Sequence, residues 1–149
     1  MFNKKGFPLQ SILKFKSNIV DKLESEFGQL KMSHKNCIDT LQKLQQMKHQ
    51  EVGVLQQLQQ SDTLDCEAIQ RQQLYIQSIH IQIVKQVSII EEVQVRLESK
   101  RQELAETLQD QKTLENLRDR YNVAQSQYLH QREARMIDEL VITRYGRER

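Results

Sequence analysis

The chain has 149 residues, of which 38% are hydrophobic and 28% charged, and its net charge is +2. With one proline, four glycines and no tryptophan, it has too few turn-forming residues for a sandwich, a barrel or an α/β fold. Its acidic and basic residues are interspersed, whereas a nucleic-acid-binding protein is expected to cluster its lysines and arginines. Composition therefore favours an all-α protein and argues against nucleic acid as a partner.

The first predicted element is a long helix over about residues 8–60, with Pro8 in the first turn, where its missing N–H does no harm. Fourteen residues, ten of them apolar, recur along this helix at alternating steps of three and four. They are Leu13, Lys16, Val20, Leu23, Phe27, Leu30, His34, Cys37, Leu41, Leu44, Lys48, Glu51, Leu55 and Leu58. A mean step of 3.5 residues keeps one narrow stripe, the seam, facing a partner helix, which is typical of a coiled coil.

The periodicity breaks at about residues 61–63, where we expect a turn. Ser61, Asp62 and Thr63 are each a residue type that caps the N-terminus of a helix. Asp65 and Glu67 follow, and they place negative charge at the positive end of the next helix.

The second predicted helix covers about residues 64–145 and ends at Gly146. Its seam is predicted to contain Ile69, Ile76, His80, Ile83, Val87, Ile90, Gln94, Leu97, Arg101, Leu104 and Leu108. After Leu108 the pattern predicts a slip of register, to Leu114, Leu117, Tyr121, Ala124 and Tyr128. The alternation of Ile79, Ile81 and Ile83 is interpreted as a helix with a wide apolar face.

A turn near residue 62 pairs two residues when their numbers add up to about 124, so the first helix ends opposite Ala124. About twenty residues of the second helix then have no partner in the chain. This overhang carries six apolar residues at helical spacing: Tyr128, Met136, Ile137, Leu140, Val141 and Ile142. An uncovered apolar stripe suggests a docking site for another protein, and the alternative is a disordered tail. The predicted fold is all-α: one domain over residues 1–149, an antiparallel coiled-coil hairpin with an overhanging C-terminal helix end.

The sequence contains no motif for catalysis, for metal or for a cofactor. The glycines are too scattered to form a phosphate-binding loop, the four histidines form no HExxH, and Cys37 and Cys66 form no CxxC. A two-helix rod also has no enclosed pocket for a small-molecule ligand. No stretch approaches the roughly 18 consecutive apolar residues of a membrane span, and Met1–Phe7 lacks the apolar region of a secretory signal. We therefore expect a non-enzymatic cytoplasmic protein.

Three short motifs carry a resemblance to a known family. The pattern F-x-L-x-x-(I/V)-L-x-x-(K/R) covers residues 7–16, and a Gln-Gln-apolar-aromatic-Ile patch covers residues 72–76. The third motif is Asp-Glu within a basic helical segment, at residues 135–140. Together with the length and the unequal arms, these motifs resemble the FliJ family, whose members are small coiled-coil components of the flagellar type III export apparatus.

The resemblance implies a role in flagellar protein export and motility, in the cytoplasm and peripherally at the inner face of the cell membrane. Its implied partners are the hexameric export ATPase (FliI-like), the membrane export gate protein (FlhA-like) and export chaperones. By the family's pattern, the residues that contact the gate are Leu44, Met47, Tyr75 and Ile79. The residues expected to meet the pore of the ATPase ring lie in the overhang and are Met136, Ile137, Leu140, Val141, Arg132 and Arg135.

Two other functions remain open from the sequence. One is a homodimeric parallel coiled-coil scaffold unrelated to export, in which the break near residue 62 is only a stutter. The other is a helical hairpin that binds nucleic acid or the ribosome, against which the near-neutral charge argues.

Overall fold

The computed structural model describes residues 6–147 and consists there of two α-helices, α1 (Gln10–Gln60) and α2 (Cys66–Arg147), with no strand. The helices pack against each other as an antiparallel hairpin, which confirms the predicted fold class. Residues 1–5, 148 and 149, which the predicted domain includes, lie outside the described residues. Within the described part of the chain, neither helix contains a stretch long and apolar enough to cross a membrane.

The segment before α1 is fixed by a turn and by one aromatic contact. Gly6 has a φ of 84°, a left-handed conformation that favours glycine. The Gln10 backbone N–H then donates to the Phe7 carbonyl at 3.1 Å, so Pro8 lies in the turn that leads into the helix. The Phe7 ring packs against Tyr121 of α2, with 5.7 Å between the ring centroids.

The turn is longer than predicted, because the residue that caps α2 is Asp65 rather than one of residues 61–63. The Asp65 carboxylate accepts a hydrogen bond from the Ala68 backbone N–H at 3.2 Å, which satisfies one of the free N–H groups at the start of a helix. The helix therefore begins at Cys66 and not at residue 64. At the other end, Gly146 lies inside α2 and does not end it.

Replacing Asp65 by alanine is expected to lower the free energy of unfolding by about 1 kcal/mol, the usual cost of losing an N-cap. Asp62→Ala is the matched control, because Asp62 is exposed in the turn and precedes the capping position. Urea denaturation followed by circular dichroism measures both. Equal stability of the two variants would show that Asp65 does not cap the helix.

The seam of α1 was predicted correctly. All fourteen predicted residues are buried or half-buried, and Leu13, Val20 and Leu23 are among the most deeply buried side chains of the described chain. The polar members of the seam, such as Lys48 and Glu51, are half-buried because they meet polar partners on α2.

In α2 the predicted seam residues Ile83, Ile90, Leu97 and Leu104 are buried or half-buried, but every second predicted position from residue 80 to residue 108 was wrong. His80, Val87, Gln94, Arg101 and Leu108 are exposed, and the residue immediately before each of them is buried or half-buried instead. The resulting seam has steps of three and four residues without interruption from Ile69 to Gln125, so the predicted slip after Leu108 is absent. Its members are Ile69, Gln72, Ile76, Ile79, Ile83, Gln86, Ile90, Val93, Leu97, Lys100, Leu104, Thr107, Gln111, Leu114, Arg118, Tyr121 and Gln125.

By its contacts the chain divides into two units. The turn unit is Leu23–Glu103, and the terminal unit is the described part of Met1–Lys22 together with Leu104–Arg149. In the turn unit, the cross-helix hydrogen bonds join Lys100 Nζ to Glu26 (2.7 Å), Gln86 to the Cys37 carbonyl (2.9 Å), Lys48 to His80 (3.1 Å) and Gln72 to Glu51 (2.6 Å). In the terminal unit they join Lys16 to Asp110 (3.4 Å) and Gln111 to Ser17 (2.8 Å).

These pairs set the register of the hairpin. The two residue numbers of each pair add up to between 123 and 128, close to the predicted 124. A polar residue that meets a matching polar partner in a seam fixes one alignment, because a shift of either helix would leave it facing an apolar side chain.

Candidate docking surfaces

The described residues offer binding surfaces rather than a reaction centre. Among residues 6–147, no group of three or more His, Cys, Asp or Glu side chains is placed to hold a metal ion. The perturbed titratable groups belong to ion pairs on the surface. The Glu26 carboxylate raises the pKa of Lys100, and the Arg101 guanidinium lowers the pKa of Glu98. The Lys100–Glu26 pair joins α2 to α1, whereas the Glu98–Arg101 pair lies within α2.

One candidate surface is the overhang, which we define as residues 126–146. Every residue in this range is exposed, and the helix is continuous through it to Arg147. The structure therefore shows a helix in this segment and not the disordered tail that the sequence left open. Eight large apolar side chains of the overhang face solvent: Tyr128, Leu129, Met136, Ile137, Leu140, Val141, Ile142 and Tyr145.

All six predicted ATPase-binding residues lie on this surface. Met136, Ile137, Leu140 and Val141 are between 46% and 68% exposed, and Arg132 and Arg135 are exposed as well. Since soluble proteins rarely leave a contiguous apolar strip in water unless it serves an interaction, this exposure supports a docking role.

Most apolar residues of the overhang do not continue the seam. Continued by steps of three and four, the α2 seam passes from Gln125 through Tyr128, Arg132, Arg135, Glu139 and Ile142, so only its middle part is polar. The apolar residues Leu129, Met136 and Leu140 each follow a seam position by one residue, which rotates them by about 100° around the helix. These three apolar side chains therefore lie on a different face of α2 from the continued seam.

The four predicted gate-binding residues differ in accessibility. Met47 and Tyr75 are 40% and 46% exposed, Leu44 is half-buried, and Ile79 is only 1% exposed. The Tyr75 side chain is exposed, as expected beside the seam residue Ile76. Ile79 is instead the most fully buried large side chain of the described residues, so it packs the hairpin and does not form part of an accessible surface.

The accessible gate candidates lie on one stretch of the turn unit. Met47 on α1 adjoins Lys48, which bonds His80 of α2, and Tyr75 follows Gln72, which bonds Glu51 of α1. The cross-helix hydrogen bonds therefore align residues 48–51 of α1 with residues 72–80 of α2. From the sequence, Tyr75 lies beside the predicted seam residue Ile76, and Ile79 lies beside the predicted seam residue His80. The structure places Ile79 itself in the seam instead of His80.

One comparison with known proteins identifies the family. The chain matches the family model described as "Flagellar FliJ protein" over residues 4–149. No curated protein and no solved structure matches it. The match covers nearly the whole chain, and the helical hairpin agrees with the fold that the resemblance implied. The chain therefore belongs to the FliJ family and is a component of the flagellar export apparatus.

Proposed function

We propose that the overhang is the surface by which this chain binds the ring of the flagellar export ATPase. The observation that carries the proposal is a continuous helix over residues 126–146 in which every residue is exposed. An exposed amphipathic helix with apolar residues at helical spacing is a common means of inserting into the groove of a partner. Within the export apparatus, a ring of ATPase subunits offers such a cavity.

The charges of the overhang indicate which forces hold it in place. Three arginines, Arg132, Arg135 and Arg144, are balanced by Glu133, Asp138 and Glu139, so the segment is neutral overall and not a basic patch. The energy of docking then comes mainly from burial of apolar side chains, at about 25 cal/mol per Å², while the charges fix orientation.

The turn unit is proposed to contact the export gate protein through Met47 and Tyr75, with Leu44 at the edge of the surface. Both side chains are accessible, and the hydrogen bonds that flank them hold the two helices in one alignment. With one surface at each unit, the chain links the ATPase to the gate at the inner face of the membrane. Escort of export chaperones is the third role that the family suggests, and we propose it on that ground alone.

The two functions left open by the sequence fit the structure less well. A parallel homodimeric coiled coil needs one continuous helix through residue 62, whereas the helices end at Gln60 and restart at Cys66 and pack within one chain. A nucleic-acid-binding hairpin needs a basic surface, and the exposed helix of the overhang is neutral.

The proposed function is tested in the bacterium that carries the gene. We expect that loss of the gene reduces secretion of flagellar filament protein, and that the full chain restores it. A chain without residues 132–149 should not restore it. Secretion at the full level by the shortened chain would contradict a docking role for the overhang.

The gate surface makes a separate prediction. Met47→Asp should weaken binding to the cytoplasmic domain of the gate protein at least tenfold, because it places a charge in an apolar contact. Met32→Asp is the matched control, since Met32 is an exposed methionine on the same helix outside the proposed surface. Isothermal titration calorimetry measures both affinities. Equal binding by the two variants would remove Met47 from the interface.

A further inference from the structure

The outward side of α2 in the turn unit carries a second apolar stripe that the hairpin does not use. Leu74, Ile81, Ser88 and Val95 follow one another at seven-residue intervals, and the three apolar members are between 49% and 70% exposed. Each of the four residues lies two residues after one seam residue and two residues before the next. Two residues correspond to a rotation of about 200° around the helix. They therefore face away from α1. Val84, at 57% exposure, widens the stripe.

This stripe also explains the run of alternating isoleucines. Ile79 is buried and Ile83 is half-buried in the seam, whereas Ile81, between them, is exposed on the opposite side. The helix thus has two separate apolar faces instead of the single wide face that the sequence suggested. A helix that is apolar on two sides is usually covered on both, and α1 covers only one.

We propose that a second copy of the chain packs on this outward stripe, antiparallel to the first, about a two-fold axis near Ser88. The charges beside the stripe are complementary under this operation. Lys85 lies three residues before Ser88 and Glu92 lies four residues after it, so both project from the same flank of the stripe. The two-fold axis therefore brings Lys85 of each copy beside Glu92 of the other. Ile81 and Val95, seven residues before and after, meet in the same way.

A parallel pairing of the same faces fits less well. A parallel two-fold axis would place the flank that carries Lys85 against the opposite flank of the other copy, where the nearest residues are His80 and Val87 and not an acidic residue. At the two-fold axis, the small Ser88 side chain leaves room for close approach of the two helices. The pairing does not depend on the role of the overhang, because the two surfaces share no residue.

The dimer is expected to be weak. The stripe supplies one helix face per copy, over about 30 Å at 1.5 Å per residue, which makes a contact smaller than the standard interface of about 800 Å² per partner. Sedimentation equilibrium should therefore show the 17.7 kDa monomer at low concentration and twice that mass as concentration rises. Val84→Asp should remove the larger species, while Val123→Asp, an equally exposed valine of α2 outside the stripe, should not.

Disulfide cross-linking tests the orientation, because three exposed serines lie along the outward side: Ser78, Ser88 and Ser99. Each is changed to cysteine in a chain that carries Cys37→Ala and Cys66→Ala. In the antiparallel pair only Ser88 lies opposite its own copy, while Ser78 lies opposite the neighbourhood of Ser99. We expect Ser88→Cys to form a disulfide-linked dimer at least tenfold faster than either other variant alone. A mixture of the Ser78→Cys and Ser99→Cys chains should form the mixed dimer.

Each other outcome overturns the proposal. Self-linking of all three variants at equal rates would indicate a parallel pair or random collision. If the chain remains a monomer at every concentration, no second copy binds the stripe. Retention of the dimer by Val84→Asp, with its helical circular dichroism intact, would place the contact elsewhere on the molecule.

Discussion

Replacing Ile79 by aspartate is expected to unfold much of the hairpin at 37 °C. Ile79 is 1% exposed and packs in the seam of α2, so the variant loses an isoleucine contact worth about 2–5 kcal/mol. It also buries a carboxylate without a partner, which adds several kcal/mol. A protein with one narrow seam has little stability in reserve, because folded domains are typically stable by only about 5–15 kcal/mol. Thermal melting followed by circular dichroism at 222 nm measures the loss.

The control for Ile79→Asp is Ile137→Asp, the same substitution in the same helix. Ile137 is 59% exposed in the overhang, so the charge stays in water and the melting temperature should change by less than a few degrees. Equal destabilisation by the two variants would show that Ile137 is as buried as Ile79 and that the overhang is not exposed.

Deletion of residues 132–149 is expected to separate folding from function. Residues 132–146 are all exposed, so none of these side chains is buried against α1. The shortened chain should therefore keep its melting temperature and its helicity per residue, and Phe7 should still pack on Tyr121. The same deletion should abolish assembly or stimulation of the export ATPase ring, because it removes most of the apolar face of the overhang.

Analytical ultracentrifugation and ATP hydrolysis by the purified ATPase measure that loss. The full chain is the control in both assays. If the shortened chain promoted ring assembly at the same concentrations as the full chain, the overhang would not be a docking element. If it unfolded instead, the register of the hairpin described above would be wrong.

The sequence was sufficient to predict the fold and the whole seam of α1. In α1, ten of fourteen seam residues are apolar, so the stripe can be followed even through His34 and Lys48. This works because coiled-coil packing depends mainly on the spacing of apolar residues.

The seam of α2 could not be followed in the same way, because alternate seam positions are often polar. Gln72, Gln86 and Lys100 occupy seam positions and are satisfied there by α1, while Val87 and Leu108 are apolar yet exposed. A seam traced through the apolar residues was therefore placed one residue too far along the chain at these positions. The register of α2 becomes clear only when the groups on α1 that bond its polar seam residues are known. The sequence of α2 alone does not identify these groups.

The exposure of the candidate surfaces could be predicted from the sequence for the overhang but not for the residues around Ile79, for a related reason. The overhang follows from the lengths of the two helices alone, so its exposure was predictable. Ile79 and Ile81 are chemically identical and two residues apart, and one is buried while the other is exposed. A register error of one residue is enough to interchange such positions, which is why the gate surface and the outward stripe needed the structure.

The most direct measurement of the central claim is the affinity of the full chain for the purified export ATPase. A fluorophore on Cys66, which is exposed at the start of α2, reports binding by anisotropy. Ile137→Asp combined with Leu140→Asp should weaken the affinity at least about 100-fold, since each buried apolar side chain contributes about 1.5–3 kcal/mol. Val123→Asp, which changes an equally exposed apolar residue before the overhang, should leave the affinity within about twofold of the unmodified chain, as is usual outside an interface. Equal affinity of the unmodified chain and the double variant would contradict the proposal that the overhang binds the ATPase.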